Sequence, residues 1–309
     1  MKLLLTGCTG FIGRELIPLL IKEGHSLTVI SRQSKGKLKA IANDQSISFI
    51  QMNPAESSSW NQEEIQNSLK SCEGVINLAG EPIAEKRWTE DHCKEITNSR
   101  IETTKNLIKN LSNLKKPPKV LINASAIGFY GSHSQTKFNE ESIPGDDFLA
   151  NLCTEWEAIA KNKPRPSRLV IVRIGIVLAK DGGALGKMLP IFRAGLGGPI
   201  GDGKQWMSWI HRTDLCNLIK ESVTNSSWSG VVNGVAPNPV RMNEFSNSLG
   251  KVLGRPSLLA VPGPILKFIL GDGARVVLEG QNVQSQRFNK LKFKFIFPTI
   301  KDAFKAILT

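Results

Sequence analysis

The sequence lacks the cysteine and hydrophobic patterns that would assign it early to a metal-binding, disulfide-bonded or membrane class. Its five cysteines form no CxxC pair, and no histidine stands at a metal-ligand spacing from them, which predicts no metal site and a reduced compartment. No apolar run approaches the roughly 20 residues that span a bilayer. The first apolar segment also lacks the basic region and cleavage site of a signal peptide. We therefore expect a protein with no membrane span, located in the cytoplasm.

Negative charge is scarce as well, with 27 Asp and Glu against 40 Lys and Arg and a formal net charge of +13. The basic residues are spread along the chain, in "KGKLK" (35–39), "LKKPPK" (114–119) and "KLKFKF" (290–295), and carry no recognition-helix or RNP-type pattern. We therefore expect no nucleic-acid partner. A diffusely basic surface also favours an anionic, phosphate-bearing ligand.

The first half of the chain alternates strand-like and helix-like segments at the spacing of βαβ units, which predicts a parallel sheet covered on both faces. Strands are expected at residues 2–6, 26–32, 47–52, 74–78, 120–124 and 169–174. Helices are expected at residues 12–23, 61–71, 89–111 and 148–161. Pro18 should kink the first helix or mark a later start.

After about residue 175 the pattern changes to Gly and Pro clusters, followed by a shorter helix at residues 243–253. The fold class expected is α/β, a doubly wound parallel sheet of Rossmann type with a smaller C-terminal lobe. Residues 1–175 would form the nucleotide-binding domain. Residues 176–309 would supply substrate-side loops and the lobe, interleaved with the sheet domain.

The stretch "LLLTGCTGFIGRELI" (3–17) places Gly7, Gly10 and Gly13 between an apolar strand and a helix. Glycine permits the tight turn and lets the backbone approach a pyrophosphate, while free N–H groups and the helix dipole supply positive potential. The spacing is GxxGxxG rather than the GxGxxG of the ordinary fingerprint. The loop predicts a dinucleotide site, with glycines that serve only a packed turn as the alternative.

The end of the second predicted strand indicates which dinucleotide would bind. NAD sites place an acidic residue about 20 residues after the glycines, on the ribose 2′-hydroxyl. This chain has Ser31 and Arg32 there, and no carboxylate until Asp44. A guanidinium can form charge-assisted hydrogen bonds with a 2′-phosphate, each worth about 1.5–3 kcal/mol. The pattern predicts NADP(H), with a solvated arginine at a strand end as the alternative.

Several motifs together resemble the extended short-chain dehydrogenase/reductases, which include the sugar-nucleotide epimerases and dehydratases: TGxxGxxG, Arg32, "NLAG" (77–80) and "ASAIGFYG" (124–131). Three longer segments are similar to an atypical branch described only as epimerase family proteins, some members of which have been labelled cell-division inhibitors. These are "NLAGEPIAEKRWTEDHCKEITNSRIETT" (77–104), "FRAGLGGPIGDGKQWMSWIHRTDL" (192–215) and "GRPSLLAVPGPILKFILGDGARVVLEGQNV" (254–283). The resemblance covers nearly the whole chain.

The resemblance implies an NADP-binding Rossmann domain in residues 1–175 and a set of cofactor contacts. From the glycine loop and the ends of the second and fourth strands these are Gly7, Thr9, Gly10, Phe11, Ile12, Gly13, Ser31, Arg32, Leu78, Ala79 and Gly80. It adds Glu95 and Arg100 on the fourth helix and Val177 after the sixth strand. The residues alone would place Glu95 and Arg100 in solvent, because five positions do not put them on one helical stripe.

The acid of this family is missing. Its members use a tyrosine followed four residues later by a lysine, assisted by a serine, but this chain has a single tyrosine, Tyr130, followed by Ser134. Matching "FLANLCTEWE" (148–157) to the usual helix puts Leu149 at the tyrosine position and Cys153 at the lysine position. Ser125 and Tyr130 are the weak catalytic candidates.

Two other residues could move a proton, but both are expected to be structural. Glu157 follows the helix rhythm and would brace a neighbouring element, and His211 would brace a core or loop. The substrate side is predicted at Gln205, Trp206 and Trp209, which follow a glycine-rich stretch, although tryptophans packed as core are equally compatible with the pattern.

Two functions remain open from the sequence. The chain is either an NADPH-dependent reductase or epimerase-like enzyme with a non-standard proton donor, or a catalytically silent NADP(H) sensor or assembly partner. The sequence predicts neither the substrate or regulatory partner nor the oligomeric state.

Overall fold

The computed structural model describes the backbone of residues 1–309 and every side chain except that of Lys37. The strands in chain order are β1 (Lys2–Thr6), β2 (Ser26–Ser31), β3 (Ile47–Gln51), β4 (Gly74–Asn77), β5 (Val120–Ala126), β6 (Lys137–Phe138), β7 (Arg168–Ile174), β8 (Ile176–Leu178), β9 (Trp206–Met207), β10 (Trp209–His211), β11 (Gly230–Gly234), β12 (Val240–Arg241) and β13 (Asn282–Val283).

The helices in chain order are α1 (Gly13–Lys22), α2 (Lys35–Lys39), α3 (Glu63–Ser71), α4 (Glu90–Ser112), α5 (Phe148–Lys161), α6 (Gly183–Arg193), α7 (Arg212–Thr224), α8 (Met242–Leu253), α9 (Gly263–Leu270), α10 (Arg275–Leu278), α11 (Arg287–Leu291) and α12 (Ile300–Leu308). Short 3-10 helices lie at Ser57–Asn61, Ile127–Tyr130 and Gly271–Ala274.

Seven of the strands form one parallel sheet in the order β11-β7-β5-β4-β1-β2-β3. The order reverses beside β1, with β2 and β3 on one side and β4, β5, β7 and β11 on the other. Successive residues of β1 enter different cores: Leu3 and Leu5 pack in the core that includes α1 and α7, whereas Leu4 packs with residues of α3 and α4. This alternation is what a strand covered on both faces requires. The doubly wound Rossmann fold predicted from the sequence is confirmed.

A second core lies outside the sheet and is built from α6, α8, α12 and the short strands β8 to β10. Trp209, Phe245 and Phe304 are fully buried there, and the Phe245 and Phe304 rings meet edge to face at 4.9 Å. Aromatic pairs of this kind add about 0.5–1.5 kcal/mol beyond the area that they bury. This core forms the smaller C-terminal lobe.

The six predicted strands and the five predicted helices are present, each within about two residues of the expected bounds. Helix α1 runs through Pro18, so the expectation of a later start is wrong; the helix begins at Gly13. The sequence analysis missed α6, α7 and β11. Strand β11 pairs with β7 from Gly230 to Gly234 and is the seventh strand of the sheet, although it lies well beyond residue 175.

In the part of the chain that the structure describes, no helix has both the length and the apolar character needed to cross a bilayer. The same residues include no group of three His, Cys, Asp or Glu side chains arranged to hold a metal ion.

Candidate functional site

The glycine loop, residues 7–13, is closed by backbone contacts that leave no room for a side chain at Gly7 or Gly13. Gly7 has φ +74°, and a Cβ atom there would lie 2.3 Å from the carbonyl carbon of Leu78. A Cβ atom on Gly13 would lie 1.6 Å from the carbonyl oxygen of Cys8. A Cβ atom on Gly10 would meet only the Gly7 oxygen, at 3.6 Å. Gly7 and Gly13 are thus required by packing, whereas Gly10 leaves the backbone open on its outer side.

Helix α1 begins with free hydrogen-bond donors. Its N-cap residue Ile12 has no side-chain capping bond, and the amides of residues 10–12 donate to no atom of the described residues. Thr9 lies beside them, with its Oγ1 2.9 Å from the Ser31 Oγ. Uncapped amides at a helix N-terminus attract anions, so the loop fits the pyrophosphate of a dinucleotide.

Ser31 is the last residue of β2, and Arg32 follows it at the same edge of the sheet. The Arg32 side chain is 59% exposed, and its Nη2 lies 3.1 Å from Oε2 of Glu81, which follows the end of β4. Lys86 lies 3.7 Å from the other Glu81 oxygen. The Ser31 hydroxyl also accepts the Gln33 amide at 3.1 Å. An exposed guanidinium held by one carboxylate is available to a second anion.

The end of β4 brings Leu78, Ala79 and Gly80 against the glycine loop and the side chain of Arg100. A Cβ atom on Gly80 would lie 2.9 Å from the Arg100 guanidinium. That guanidinium donates to the carbonyl oxygens of Ile96 (2.9 Å) and Glu81 (3.0 Å), and burial lowers its pKa. The expectation from residues alone that Arg100 is solvated is therefore wrong, since the arginine braces the floor of the site.

Glu95, the other α4 residue implied by the resemblance, is placed differently. Its side chain is 60% exposed, and it lies 3.3 Å from the His92 ring and 3.9 Å from Lys86. It belongs to a surface chain of charges with Arg32, Glu81 and Lys86 rather than to the buried floor.

A cleft of about 440 Å³ opens at the carboxyl ends of the strands, where ligands bind in open α/β sheets. Ile12, Gly80, Arg100 and Val177 line it on the glycine-loop side. The remaining wall comes from distant parts of the chain and includes Ile83, Trp88, Phe148, Leu149, Leu152, Cys153, Trp206, Arg275 and Glu279.

Neither weak catalytic candidate is among the residues that line the cleft. The buried Ser125 hydroxyl donates to Glu157 at 2.7 Å. The Tyr130 hydroxyl lies between Asn233 (2.7 Å) and the Arg173 guanidinium (2.9 Å), and burial raises its pKa. Adjacent residues of a strand face opposite sides, which is why Ala126 lines the cleft and Ser125 does not.

Leu149 and Cys153, at the positions of the missing tyrosine and lysine, do line the cleft. The Cys153 side chain is 4% exposed, and burial raises the pKa of its thiol to about 11. The cleft therefore presents an apolar side chain and a protonated thiol where active relatives of this class present an acid and its activating cation.

Beneath the cleft lies a buried ion pair that the sequence analysis missed. Arg173 on β7 donates from Nε and Nη2 to the two carboxylate oxygens of Glu157 on α5, at 2.8 and 2.9 Å, and both side chains are at least 96% buried. Burial alone would lower the pKa of Arg173, but its bonds to Glu157 and Tyr130 raise it. Glu157 thus braces β7, as expected; the available signal for its partner was Arg173, which follows the apolar run "LVIV" of that strand.

The three predicted substrate-side residues are separated. Trp206 lines the cleft, with its indole nitrogen donating to Ser134 and the Arg241 guanidinium 3.8 Å from its ring centre. Gln205 is buried, and its amide donates to Ile200 and Val277. Trp209 lies in the lobe core instead, donating to Asn238.

His211 has the bracing role expected for it. Its Nδ1 accepts the Thr213 amide at 3.1 Å as the N-cap of α7, and its ring packs on Phe297 with centres 4.1 Å apart. Burial lowers its pKa to about 4.

Sequence comparison places most of the chain in one family. Residues 3–233 match the model described as the NAD dependent epimerase/dehydratase family, and residues 261–307 match a domain of unknown function, DUF1731. The Arabidopsis thaliana "Epimerase family protein SDR39U1 homolog, chloroplastic" is 45% identical over 310 residues, covering 100% of this chain and 87% of that protein. Human "Epimerase family protein SDR39U1" is 37% identical over 313 residues, covering all of both chains. Because the plant relative is named chloroplastic, a cytoplasmic location stays a prediction.

Solved structures agree with this placement. The human SDR39U1 structure, described as isoform 2 with NADPH, has a TM-score of 0.88 at 36% identity and covers 99% of both chains. A UDP-glucuronic acid 4-epimerase from Bacillus cereus, in complex with UDP-glucuronic acid and NAD, has a TM-score of 0.79 at 17% identity over 99% of this chain and 98% of that one; this likeness concerns the fold. The family match to residues 3–233, a relative 45% identical over the whole chain and the glycine loop at the sheet edge together show that the chain belongs to the NAD dependent epimerase/dehydratase family.

Proposed function

We propose that this protein is an NADP(H)-dependent reductase in which the glycine loop holds the cofactor's pyrophosphate and Arg32 holds its 2′-phosphate. The observation that carries the proposal is the exposed Arg32 guanidinium at the end of β2, at the sheet edge that also holds the open N-terminus of α1. NAD sites need a carboxylate at that strand end, and here a cation replaces it. The solved relative that contains NADPH supports the same assignment.

Each part of the site would then have a defined task. Free amides at residues 10–12 would bind the pyrophosphate, and Ala126, Ile174 and Val177 would border the nicotinamide ring in the inner part of the cleft. A bound NADPH would supply a hydride there. The apolar cleft wall would exclude water from the reacting atoms and orient the substrate.

The test is a calorimetric titration of the protein with NADPH and, separately, with NADH. We expect NADPH to bind at least tenfold more tightly, and Arg32→Asp to weaken NADPH binding by about 10–100-fold while changing NADH binding little. Arg165→Asp, at an exposed position before β7, is the matched control and should leave both affinities unchanged. Equal losses for NADPH and NADH in Arg32→Asp would contradict the 2′-phosphate role.

A second candidate function is that of a silent NADP(H) sensor or assembly partner. It is favoured because Leu149 and Cys153 occupy the positions of the usual catalytic tyrosine and lysine. A sensor should bind NADPH without oxidising it in the presence of any carbonyl compound. It should also differ between its NADPH and NADP⁺ complexes in hydrodynamic radius or proteolysis pattern. Cofactor oxidation by a substrate would contradict the sensor function.

A further inference from the structure

The substrate side of the cleft is lined by aromatic side chains. Trp88 and Phe148 meet edge to face with ring centres 5.2 Å apart, and Trp206 joins the lining from β9. These three residues are named the aromatic wall. The Trp88 indole is fixed by a 2.7 Å bond to the Ile83 carbonyl oxygen, and that of Trp206 by its bond to Ser134. Aromatic side chains held in place in this way favour contact with an apolar, ring-containing ligand.

Among the described residues that line the cleft, the cationic side chains are two, Arg100 and Arg275, and Arg100 is largely buried. Arg100 donates to the main-chain oxygens of Ile96 and Glu81, and Arg275 lies 3.1 Å from Glu279. No lysine lines the cleft among the residues that the structure describes. A nucleoside diphosphate would need several free charge-assisted donors. The cleft therefore suits an uncharged substrate better than a sugar nucleotide.

The acids that line the cleft are poorly suited to protonate a product, because Glu81 and Glu279 pair with arginines and burial raises the pKa of the Cys153 thiol to about 11. The Ser125 and Tyr130 hydroxyls bond beneath it, and the Asp147 carboxylate at the cleft accepts the Ala150 amide at 2.9 Å as the cap of α5. Hydride addition to a simple ketone leaves an alkoxide that is about as basic as hydroxide. A positioned acid is then worth about 10²–10⁴ in rate.

A quinone avoids this requirement. Hydride addition to a quinone leaves a phenolate-type anion, whose conjugate acid resembles the tyrosine phenol with a pKa of about 10. Solvent can protonate such an anion without help from a side chain. The aromatic lining, the small number of cationic side chains and the lack of a positioned acid all favour a quinone as the substrate.

We propose that the cleft binds an uncharged quinone, stacked on the aromatic wall, and that the protein reduces it to the hydroquinone. In this two-electron step the quinone gains a hydride from NADPH and one proton from water, and the nicotinamide is oxidised to NADP⁺. The proposal rests on the NADPH-dependent reductase function argued above. Its test therefore measures cofactor binding, quinone binding and turnover separately.

The binding experiment uses 2,3-dimethyl-1,4-naphthoquinone, because full ring substitution prevents alkylation of the partly exposed thiol of Cys93. Protein saturated with NADP⁺ is titrated with this quinone and, separately, with UDP-glucose, by calorimetry. We expect the quinone to bind at least tenfold more tightly than UDP-glucose. Tighter binding of UDP-glucose would overturn the proposal.

Two variants locate the bound quinone. Phe148 is 36% exposed, so Phe148→Ala should fold; it should weaken quinone binding about five- to tenfold with NADP⁺ affinity unchanged. Ile143→Ala, at an exposed apolar position that is absent from the cleft lining, should change neither affinity. Equal quinone affinity in Phe148→Ala and the wild-type protein would contradict binding at the aromatic wall.

Turnover is followed as loss of NADPH absorbance, with a protein-free blank. We expect the quinone to be reduced at least a hundredfold faster than acetophenone, a ketone of similar size. Acetophenone reduced as fast as the quinone would overturn the proposal, because the cleft would then hold an effective acid. If NADPH binds but the quinone is not reduced, only the quinone proposal fails. If NADPH itself does not bind, the reductase function fails as well.

Discussion

The glycine loop and the aromatic wall lie at the same edge of one sheet but are held in place in different ways. The loop occupies seven consecutive residues, and its shape is imposed by main-chain contacts such as that of Gly7 with Leu78. The wall is assembled from residues 88, 148 and 206, each held by side-chain hydrogen bonds or ring contacts. A loop shaped by its backbone requires glycine at fixed positions, whereas a surface made of side chains can change its specificity through single substitutions. The cofactor side of the cleft is therefore expected to tolerate few substitutions and the substrate side many.

The largest effect is expected when one methyl group is added to the glycine loop. In Gly13→Ala the new Cβ would lie 1.6 Å from the Cys8 oxygen, so we expect a loss of more than about 3 kcal/mol in the free energy of unfolding, or no folded protein. In Gly10→Ala the nearest atom is 3.6 Å away, so the fold should persist while NADPH binding is lost. Denaturant titration and calorimetry separate the two effects. A Gly13→Ala protein as stable as the wild type would contradict the close packing of α1 on the glycine loop.

A large loss of stability is also expected when the buried ion pair beneath the cleft is broken. Arg173→Met leaves the buried Glu157 carboxylate without its partner, which typically costs about 3–5 kcal/mol. The double variant Arg173→Met, Glu157→Leu should recover much of that loss, because no unpaired charge remains. Chemical unfolding of the wild-type protein, the single variant and the double variant measures both the loss and the recovery of stability. A double variant no more stable than the single one would show that the pair acts through the Ser125 and Tyr130 bonds instead.

A smaller effect comes from His211, outside the cleft. The folded-state pKa of about 4 lies below the ordinary histidine pKa of 6.5, so the unfolded chain binds the proton more readily between these values. Stability should therefore fall as pH decreases from about 6.5 towards 4, by about 2–3 kcal/mol in total. His211→Asn keeps a capping side chain but cannot titrate in this range. Urea unfolding should show a steeper pH dependence for the wild-type protein than for this variant; parallel curves would refute the assignment.

The smallest expected effect is a change in NADPH affinity. Glu81 holds Arg32 and would stand near a bound 2′-phosphate, so Glu81→Gln should raise NADPH affinity about two- to fivefold and leave NADH affinity unchanged. Glu85→Gln removes the same charge from a nearby exposed residue and serves as the control. Titrations at low ionic strength give the comparison. Weaker NADPH binding in Glu81→Gln would mean that the carboxylate positions Arg32 rather than competing for it.

The parts of the molecule that could be predicted from sequence are those whose determinants are local. Strands β1 to β5 and β7 and the turn at Gly7 follow from apolar runs, glycine positions and helix rhythm within short windows. Trp88, Phe148 and Arg275 meet only after the chain has folded, so no window contains their relation. The resemblance contributed Arg100, whose buried position no charge pattern would have indicated.

Trp209 shows where a local rule could have been applied more strictly. It lies three residues after Trp206, an odd spacing that puts two side chains on opposite faces of an extended segment. The structure agrees, with Trp206 at the cleft and Trp209 in the lobe core. Ser125 and Ala126 differ in the same way, since they are neighbours on β5.

Strand β7 carries hydrogen bonds from β5 along one edge and from β11 along the other. A chain ending near residue 175 would leave that second edge open, with a row of main-chain donors and acceptors available to any other strand. Such a fragment would also lose Val232 of β11 and the buried α7 residues Leu215, Leu218 and Ile219 from the core that packs on α1. A gene fusion or transfer could therefore move the nucleotide-binding unit to another protein only together with the later segment that completes its sheet.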